Sequence, residues 1–504
     1  MRTTVFLILA LHALASMGNA STQDEGVWQF HYENVLGTSL DLTIEAQSTT
    51  DAERAVAAVR HEIEREAGIL SAWDPSSEFS RWFATTGQPV RVSPDLFEVL
   101  SLFDLWRSRS GGALDAAAET VVRMWNAAAR QGRVPSPEER RAAVEQVRQT
   151  HWKLDRSNQA ATHLDQVPIA LNSFAKSYVA GHAANAALAV SGVRSLVANI
   201  GGDLVVRGPR AEPVDIADPR CDAENCPPLD RVEIRDRAIA TSGNYRRGVD
   251  LAGRHYSHIV DPRTGLTADA IVSSTVVAPG AADAGAMATA FSVLQPQESH
   301  RIAASIPGTE FLLVTSSGER IASAGWARLA LPPRISNSAA FVPATAQLPN
   351  AGDASFDLTI TLELAPNGYF ANRPYLAVWA EDSSRKPVRT IALWFNKDRY
   401  LPELRAWYRV AQSSSAQNAY RYAHSVSSAT RSPGKYTIKW DGRDDGGKPV
   451  SAGWYTIFIE AAREGGTYQL MRQAIDLNGA PGKIELKPNA EIASATLDYR
   501  KSAH

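Results

Sequence analysis

Residues Ala240–Gly265 read ATSGNYRRGVDLAGRHYSHIVDPRTG. The stretch is polar, dense in turn formers, and carries two histidines and four arginines. Its last five residues predict a tight turn, because Pro262 fixes φ and Gly265 permits positive φ. Arg263 offers that turn a guanidinium for a carboxylate or a phosphate. His258, three residues before Asp261, is a candidate base near neutral pH. Thr241, Ser242 and Tyr245 add hydroxyl donors. Each residue alone suits a satisfied surface turn; the combination points to a binding site.

The totals bound that site. A chain of 504 residues predicts two or three domains. A formal net charge of −2 asks for neither nucleic acid nor an anionic membrane as partner. Arg2, the apolar run TVFLILALHALA and the small residues Gly18 and Ala20 predict a signal peptide over residues 1–20. The run is too short to span a bilayer comfortably, so the chain reads as exported to the periplasm with no integral span after processing. Cys221 and Cys226, in CDAENC, predict a small disulfide loop in an oxidising compartment.

Organisation changes along the chain. In TDAERAVAAVRHEIEREAGILSAW, Ala55, Val56, Val59, Ile63 and Ala67 make a helical apolar stripe. Ser93 followed by Pro94 predicts a capped helix start. SFAKSYVAGHAANAALAVSG and DAGAMATAFSVL read as helices, and VRSLVANIGGDLVVRG as strand, glycine turn, strand. Residues 331–352 read as a Pro-, Ala- and Ser-rich linker. Beyond it, short β-branched and aromatic runs predict an antiparallel sandwich over 353–500. Asp441, Asp444 and Asp445 lack the spacing of a helical calcium loop and read as turn formers.

Several segments recur in one order: LGTSLDL (36–42), LSAWDPSSEFSRW (70–82), GGALDAAAE (111–119), LNSFAKSY (171–178), ANIGGDLVVRG (198–208), YSHIVDPRTG (256–265) and STVVAPGAADAGAMATAFSVL (274–294). The series resembles the ApbE family of FAD:protein FMN transferases over about residues 28–330. The resemblance implies an α+β flavin-transferase-like domain followed by an all-β, immunoglobulin-like sandwich. The sandwich segment WDGRDDGGKPVSAGWY also resembles a module of flagellar hook-cap proteins and reads as non-catalytic. The implied reaction cleaves FAD at its pyrophosphate with magnesium assistance and places FMN on a Thr or Ser hydroxyl of a partner protein in trans. Two other readings on the same fold are a flavin-binding scaffold and an FAD pyrophosphatase.

The same resemblance assigns roles. Leu36, Trp73, Ala113, Leu114, Asp115, Lys176, Tyr245, Ile259 and Arg263 fall on FAD-binding positions, His258 on the base, and Ser173, Asp283 and Thr289 on the metal site. Asp115 has a second reading as a helix cap, and Trp73 as an amphipathic core residue. Lys176 stands at the lysine of the family's AKG pattern. In the family's metal segment an Asp precedes the Thr by four residues; here Gly285 stands there. Asp283, two residues earlier, lies about 200° round a helix from that position. The acidic residue expected before LNSFAKSY is Ala170.

Overall fold

The structure is a computed structural model. It describes residues 21–332 and 356–501, except 25, 222–225, 227, 245–247, 252, 366–372, 396–397, 414–426, 429–430, 432 and 464–466. The expected signal peptide, residues 1–20, and nearly all of the expected linker, residues 331–352, lie outside the described residues. Two compact units emerge. One comprises the chain up to Glu212 with Ile234–Leu313, and the other comprises Pro213–Glu233 with the chain from Val314 onward. The first unit thus ends at Leu313, earlier than the expected boundary at 330, and the excursion 213–233 belongs to the second.

The helices are α1 (Thr49–Leu70), α2 (Glu78–Phe83), α3 (Pro94–Arg109), α4 (Ala118–Arg130), α5 (Pro137–Val147), α6 (Ala175–Leu188), α7 (Ala281–Phe291), α8 (Pro296–Ala304) and α9 (Arg405–Ser413). Their starts follow the sequence. Ser93 is extended and its hydroxyl accepts the Leu96 N–H at 3.2 Å, with Pro94 in the first turn of α3. Ser48 caps α1 in the same way through the Asp51 N–H. The predicted stripe of α1 is buried at Ala55, Val56, Val59 and Ile63, but it contains one charged residue, the fully buried Glu66.

The first unit is built on a sheet. Its strands run in the spatial order Ser21–Asp24, Val27–Val35, Thr38–Ala46, Val193–Ile200, Asp203–Arg207, Ala238–Gly243, Ile271–Ala278 and Glu310–Thr315. Neighbours from Val27–Val35 through Ile271–Ala278 pair antiparallel. In Thr38–Ala46 the buried residues alternate as Leu40, Leu42, Ile44 and Ala46, the period of a strand with one face packed. Helix α6 packs on this sheet between α1 and α7.

The second unit carries an all-β sandwich. A four-stranded sheet orders Gly434–Trp440, Phe356–Leu364, Ile492–Lys501 and Gly482–Leu486. A second sheet orders Ser427–Ser428, Pro387–Trp394, Tyr375–Asp382, Trp454–Ala462 and Tyr468–Asp476. Leu358, Ile360, Leu362, Val378, Trp394, Ile457, Ile459 and Leu497 fill the space between them. Helix α9 covers the outer face of the larger sheet through Trp407 and Ala411, and the carboxylate of the buried Glu460 accepts its Ala406 and Trp407 N–H groups at 2.8 Å each. That places a negative charge where a helix start favours one. Asp444 forms a turn, accepting from Gly446 and Lys448 N–H at 2.9 Å each, and Asp445 accepts from Thr390 N–H at 3.0 Å. Asp441 and Asp444 are turn formers, as the spacing predicts, whereas Asp445 ties the turn to the strand Pro387–Trp394.

Leu42 is 1% exposed in the middle of the first sheet. Leu42→Ala leaves a cavity there and is expected to lower the unfolding free energy by about 3 kcal/mol, measured as a lower urea midpoint at unchanged slope.

Candidate active site

The site is organised by two helices that approach closely. On α6 and two residues ahead of its start, Ser173, Ser177 and Gly181 are spaced by four; on α7, Thr289, Gly285 and Ala281 are spaced by four in the opposite direction. The two rows meet rung by rung. A methyl group added at Gly181 would lie 3.0 Å from Ala281 Cβ, and one at Gly285 would lie 2.9 Å from Ser177 Cβ. At the third rung Thr289 Oγ1 donates to the Ser173 carbonyl at 3.0 Å. Rows of this i, i+4 spacing are the ridges along which helices interdigitate.

The sheet beneath adds oxygens. Ser242 Oγ lies 3.4 Å from Thr289 Oγ1. Ser242 is the cross-strand partner of Ser274 and shares its face. Ser274 Oγ is fully buried and has no hydrogen-bond partner. Thr241 and Thr275, on the opposite face, satisfy each other at 2.9 Å. Ser177 Oγ donates to Asp203 Oδ2 at 2.8 Å. Burial pushes the Asp203 carboxyl above its usual range, opposed by the Ser177 hydroxyl and by the charge of Lys176. Asp203 follows Gly201 and Gly202, both at positive φ. A Cβ at Gly201 would come within 2.7 Å of the Thr38 side chain, so the glycine turn lies against the LGT segment.

The opening segment forms a second wall. Gly265 N–H donates to the Asp261 carbonyl at 2.9 Å, and the Gly265 carbonyl accepts from Trp125 Nε1 at 2.9 Å. Arg263 closes on its own turn, with Nε and Nη2 on the two Asp261 oxygens at 2.9 and 3.0 Å. Its Cγ lies 3.6 Å from where a Gly112 Cβ would sit, which joins this turn to the GGALD segment. His258 is exposed and Ile259 half-buried. A second histidine, His255, holds Asp250 Oδ1 at 2.8 Å through Nδ1 and meets the Asn244 carbonyl at 3.3 Å through Nε2. Tyr245 lies outside the described residues.

Three expected residues are differently employed. Asp283 does not join Ser173 and Thr289. Its Oδ1 accepts from Trp106 Nε1 at 3.2 Å, and six helical residues put it roughly 9 Å along the axis from Thr289. Burial raises its carboxyl above the ordinary range. Asp115 pairs with Arg107 Nε at 2.8 Å and accepts from the Ala117 N–H at 2.8 Å, a local turn ahead of α4, whose start carries no side-chain cap. Ala113 and Leu114 are core residues beside it. The guanidinium of Arg263 is committed to Asp261. Leu36 sits in the left-handed region at φ 50, at the turn before Gly37. The Trp73 indole is 94% exposed, so it is not a core residue. Asp203, Ser177, Ser242 and Ser274 complete the oxygen layer. The aspartate of IGGD and the hydroxyl after Lys176 were the visible signals for the first two.

A family model described as the ApbE family matches residues 36–313, more than half of the chain. The chain belongs to the ApbE family. A second model, described as a predicted periplasmic protein (DUF2271), matches residues 357–494. The FAD:protein FMN transferase of Klebsiella pneumoniae is 27% identical over 295 residues, covering 56% of this chain and 83% of that protein. That of Treponema pallidum is 29% identical over 284 residues, covering 52% of this chain and 77% of that protein. Among solved structures, the ApbE protein of Thermotoga maritima superposes with a TM-score of 0.54 at 24% identity, over 61% of this chain and all of that one. The flavin transferase ApbE of Vibrio cholerae gives 0.52 at 23%, over 60% of this chain and 99% of that one. These likenesses carry the fold of the first unit.

Gly285 and Ser177, which stand where the resemblance implies an aspartate and the glycine of AKG, share one rung. The Ser177 side chain occupies the room that a side chain at 285 would need. Gly285→Asp alone is expected to destabilise the chain by about 1–3 kcal/mol through overpacking. Combining it with Ser177→Gly should restore most of the loss, measured as a double-mutant cycle in urea.

Proposed function

We propose that this chain is an exported FAD:protein FMN transferase. The observation that carries the reading is the oxygen layer of the Ser173 carbonyl, Thr289 Oγ1 and Ser242 Oγ, all half-buried, and the buried, unpartnered Ser274 Oγ, in a chain whose curated relatives bear that name. An all-oxygen donor set fits a hard divalent cation such as magnesium, which also favours a carboxylate. Asp203, on the same sheet face and tied to Ser177, supplies that carboxylate in place of Asp283. When bound, magnesium would neutralise charge on the FAD pyrophosphate.

The chain's own residues account for the rest. Lys176, in the first turn of α6, faces the phosphates. The exposed Trp73 stacks on the flavin ring, and Ile259 lines its pocket. Arg263, held rigid by Asp261, props the turn behind His258. His258 takes the proton of the acceptor's Thr or Ser hydroxyl as that oxygen attacks the FMN phosphorus. The pyrophosphate P–O bond breaks, and AMP leaves with its electron pair. The acceptor is an exported protein; the match of the second unit to a predicted periplasmic family supports that compartment, and no helix among the described residues is long and apolar enough to cross a membrane.

Incubating mature protein with FAD, magnesium and a flavin-acceptor domain is expected to give a fluorescent adduct on the acceptor. Thr289→Val and Asp203→Asn should each slow transfer about 100-fold or more, by analogy with removing one electrostatic donor. His258→Ala should slow it about 100-fold and flatten the pH profile. Free FMN without adduct would mean that water replaces the acceptor, and unchanged FAD would defeat the enzymatic reading.

A further inference from the structure

We propose that Glu62, Glu66 and His182 form a site for one divalent transition-metal ion of the zinc type, on the α1–α6 interface and separate from the flavin nucleotide site. Glu62 and Glu66 are one helical turn apart on α1 and face the same way. His182 follows the Gly181 rung on α6. One ligand atom from each of the three lies within 4.8 Å of the others. His182 Nδ1 is 2.8 Å from Glu66 Oε1 and 4.0 Å from Glu62 Oε1.

The decisive group is Glu66. Its side chain is 0% exposed, and its Oε2 has no hydrogen-bond partner. A buried carboxylate oxygen left in that state is costly, and a coordinated cation satisfies it. The surroundings are negative. The single guanidinium of Arg65 faces Glu62, Glu66 and Asp95, and Glu98 stands nearby, accepting from the Tyr178 hydroxyl at 2.9 Å. Arg65 does not block the site, because its two contacts to Asp95 at 2.8 and 3.0 Å hold it when Glu62 turns inward. The Tyr178 ring lies 4.2 Å from the His182 ring and fixes the imidazole orientation. A third of the His182 side chain is exposed, which gives the ion a way in.

The donor set selects the ion. An imidazole with two carboxylates suits zinc and its neighbours, whereas magnesium prefers oxygen ligands alone. A bound ion would pin α1 to α6, the helix whose start carries Ser173, Lys176 and Ser177.

The test uses the full mature chain, stripped of metal with a chelator and titrated with zinc chloride by calorimetry. The wild type is expected to take up one zinc equivalent with a rise in melting temperature. His182→Gln and Glu62→Gln should each weaken that binding at least about tenfold, while Thr289→Val keeps it. Cobalt substitution should give a visible absorption band in the wild type that His182→Gln lacks. Should His182→Gln fail to fold by circular dichroism, Glu62→Gln, at the edge of the cluster, makes the same comparison. No zinc uptake by the wild type, or equal uptake by wild type and the folded variants, would overturn the proposal. Loss of flavin transfer in the Thr289 variant leaves this result untouched, so the two sites are tested apart.

Discussion

The close contact of α6 with α7 is the constraint on which the rest of the site depends. Gly181 and Gly285 each remove one of the two facing side chains at two of three rungs, leaving only the Ala281 methyl and the Ser177 side chain there, and the Ser173 carbonyl meets Thr289 Oγ1 at the third. An added methyl group at Gly181 would lie 3.0 Å from Ala281 Cβ and one at Gly285 would lie 2.9 Å from Ser177 Cβ, so either forces a local shift at its rung. The hydroxyl at Ser177 is the exception that fits, because it lies over Gly285 and finds its own acceptor in Asp203. Packing and chemistry are thus decided by the same few atoms.

Two buried carboxylates show how position decides role. Asp283 and Asp203 are both pushed up by burial. Asp283 meets an indole N–H from α3, a neutral donor that satisfies one oxygen. Asp203 meets a hydroxyl in the oxygen layer and the field of Lys176. A cation added beside Asp203 would lower its pKa and hold it ionised; at Asp283 the helix geometry carries the carboxylate away from Thr289.

Much of this was legible in the sequence where the signal is local. Ser93 with Pro94 starts α3, the glycines at 201 and 202 turn one strand into the next, and Pro262 with Gly265 make the turn, because caps and turns are set by a few neighbouring residues. Ser173 and Thr289 were reached through the family resemblance and do come together. What the sequence hid is pairing between distant segments. Nothing near Arg263 announces that Asp261 claims its guanidinium twice, and nothing near Asp115 announces Arg107. The α1 stripe predicts an apolar face, yet Glu66 sits in it with His182 from a helix more than a hundred residues away.

The Glu66 cluster and the oxygen layer lie on the same helix for a physical reason. Eight of the fourteen residues of α6 are buried, and on that face its polar groups stand where a partner satisfies them. At its start the partners are Thr289 and Asp203, and farther along they are Glu66 and the Tyr178–Glu98 pair. Each set contains one buried oxygen without a partner in its vicinity, Ser274 Oγ in the first and Glu66 Oε2 in the second. Thr309 Oγ1 and His163 Nε2 are also buried without a hydrogen-bond partner in this unit, so an orphaned atom points to a ligand only where, as in these two sets, other donor groups converge on it.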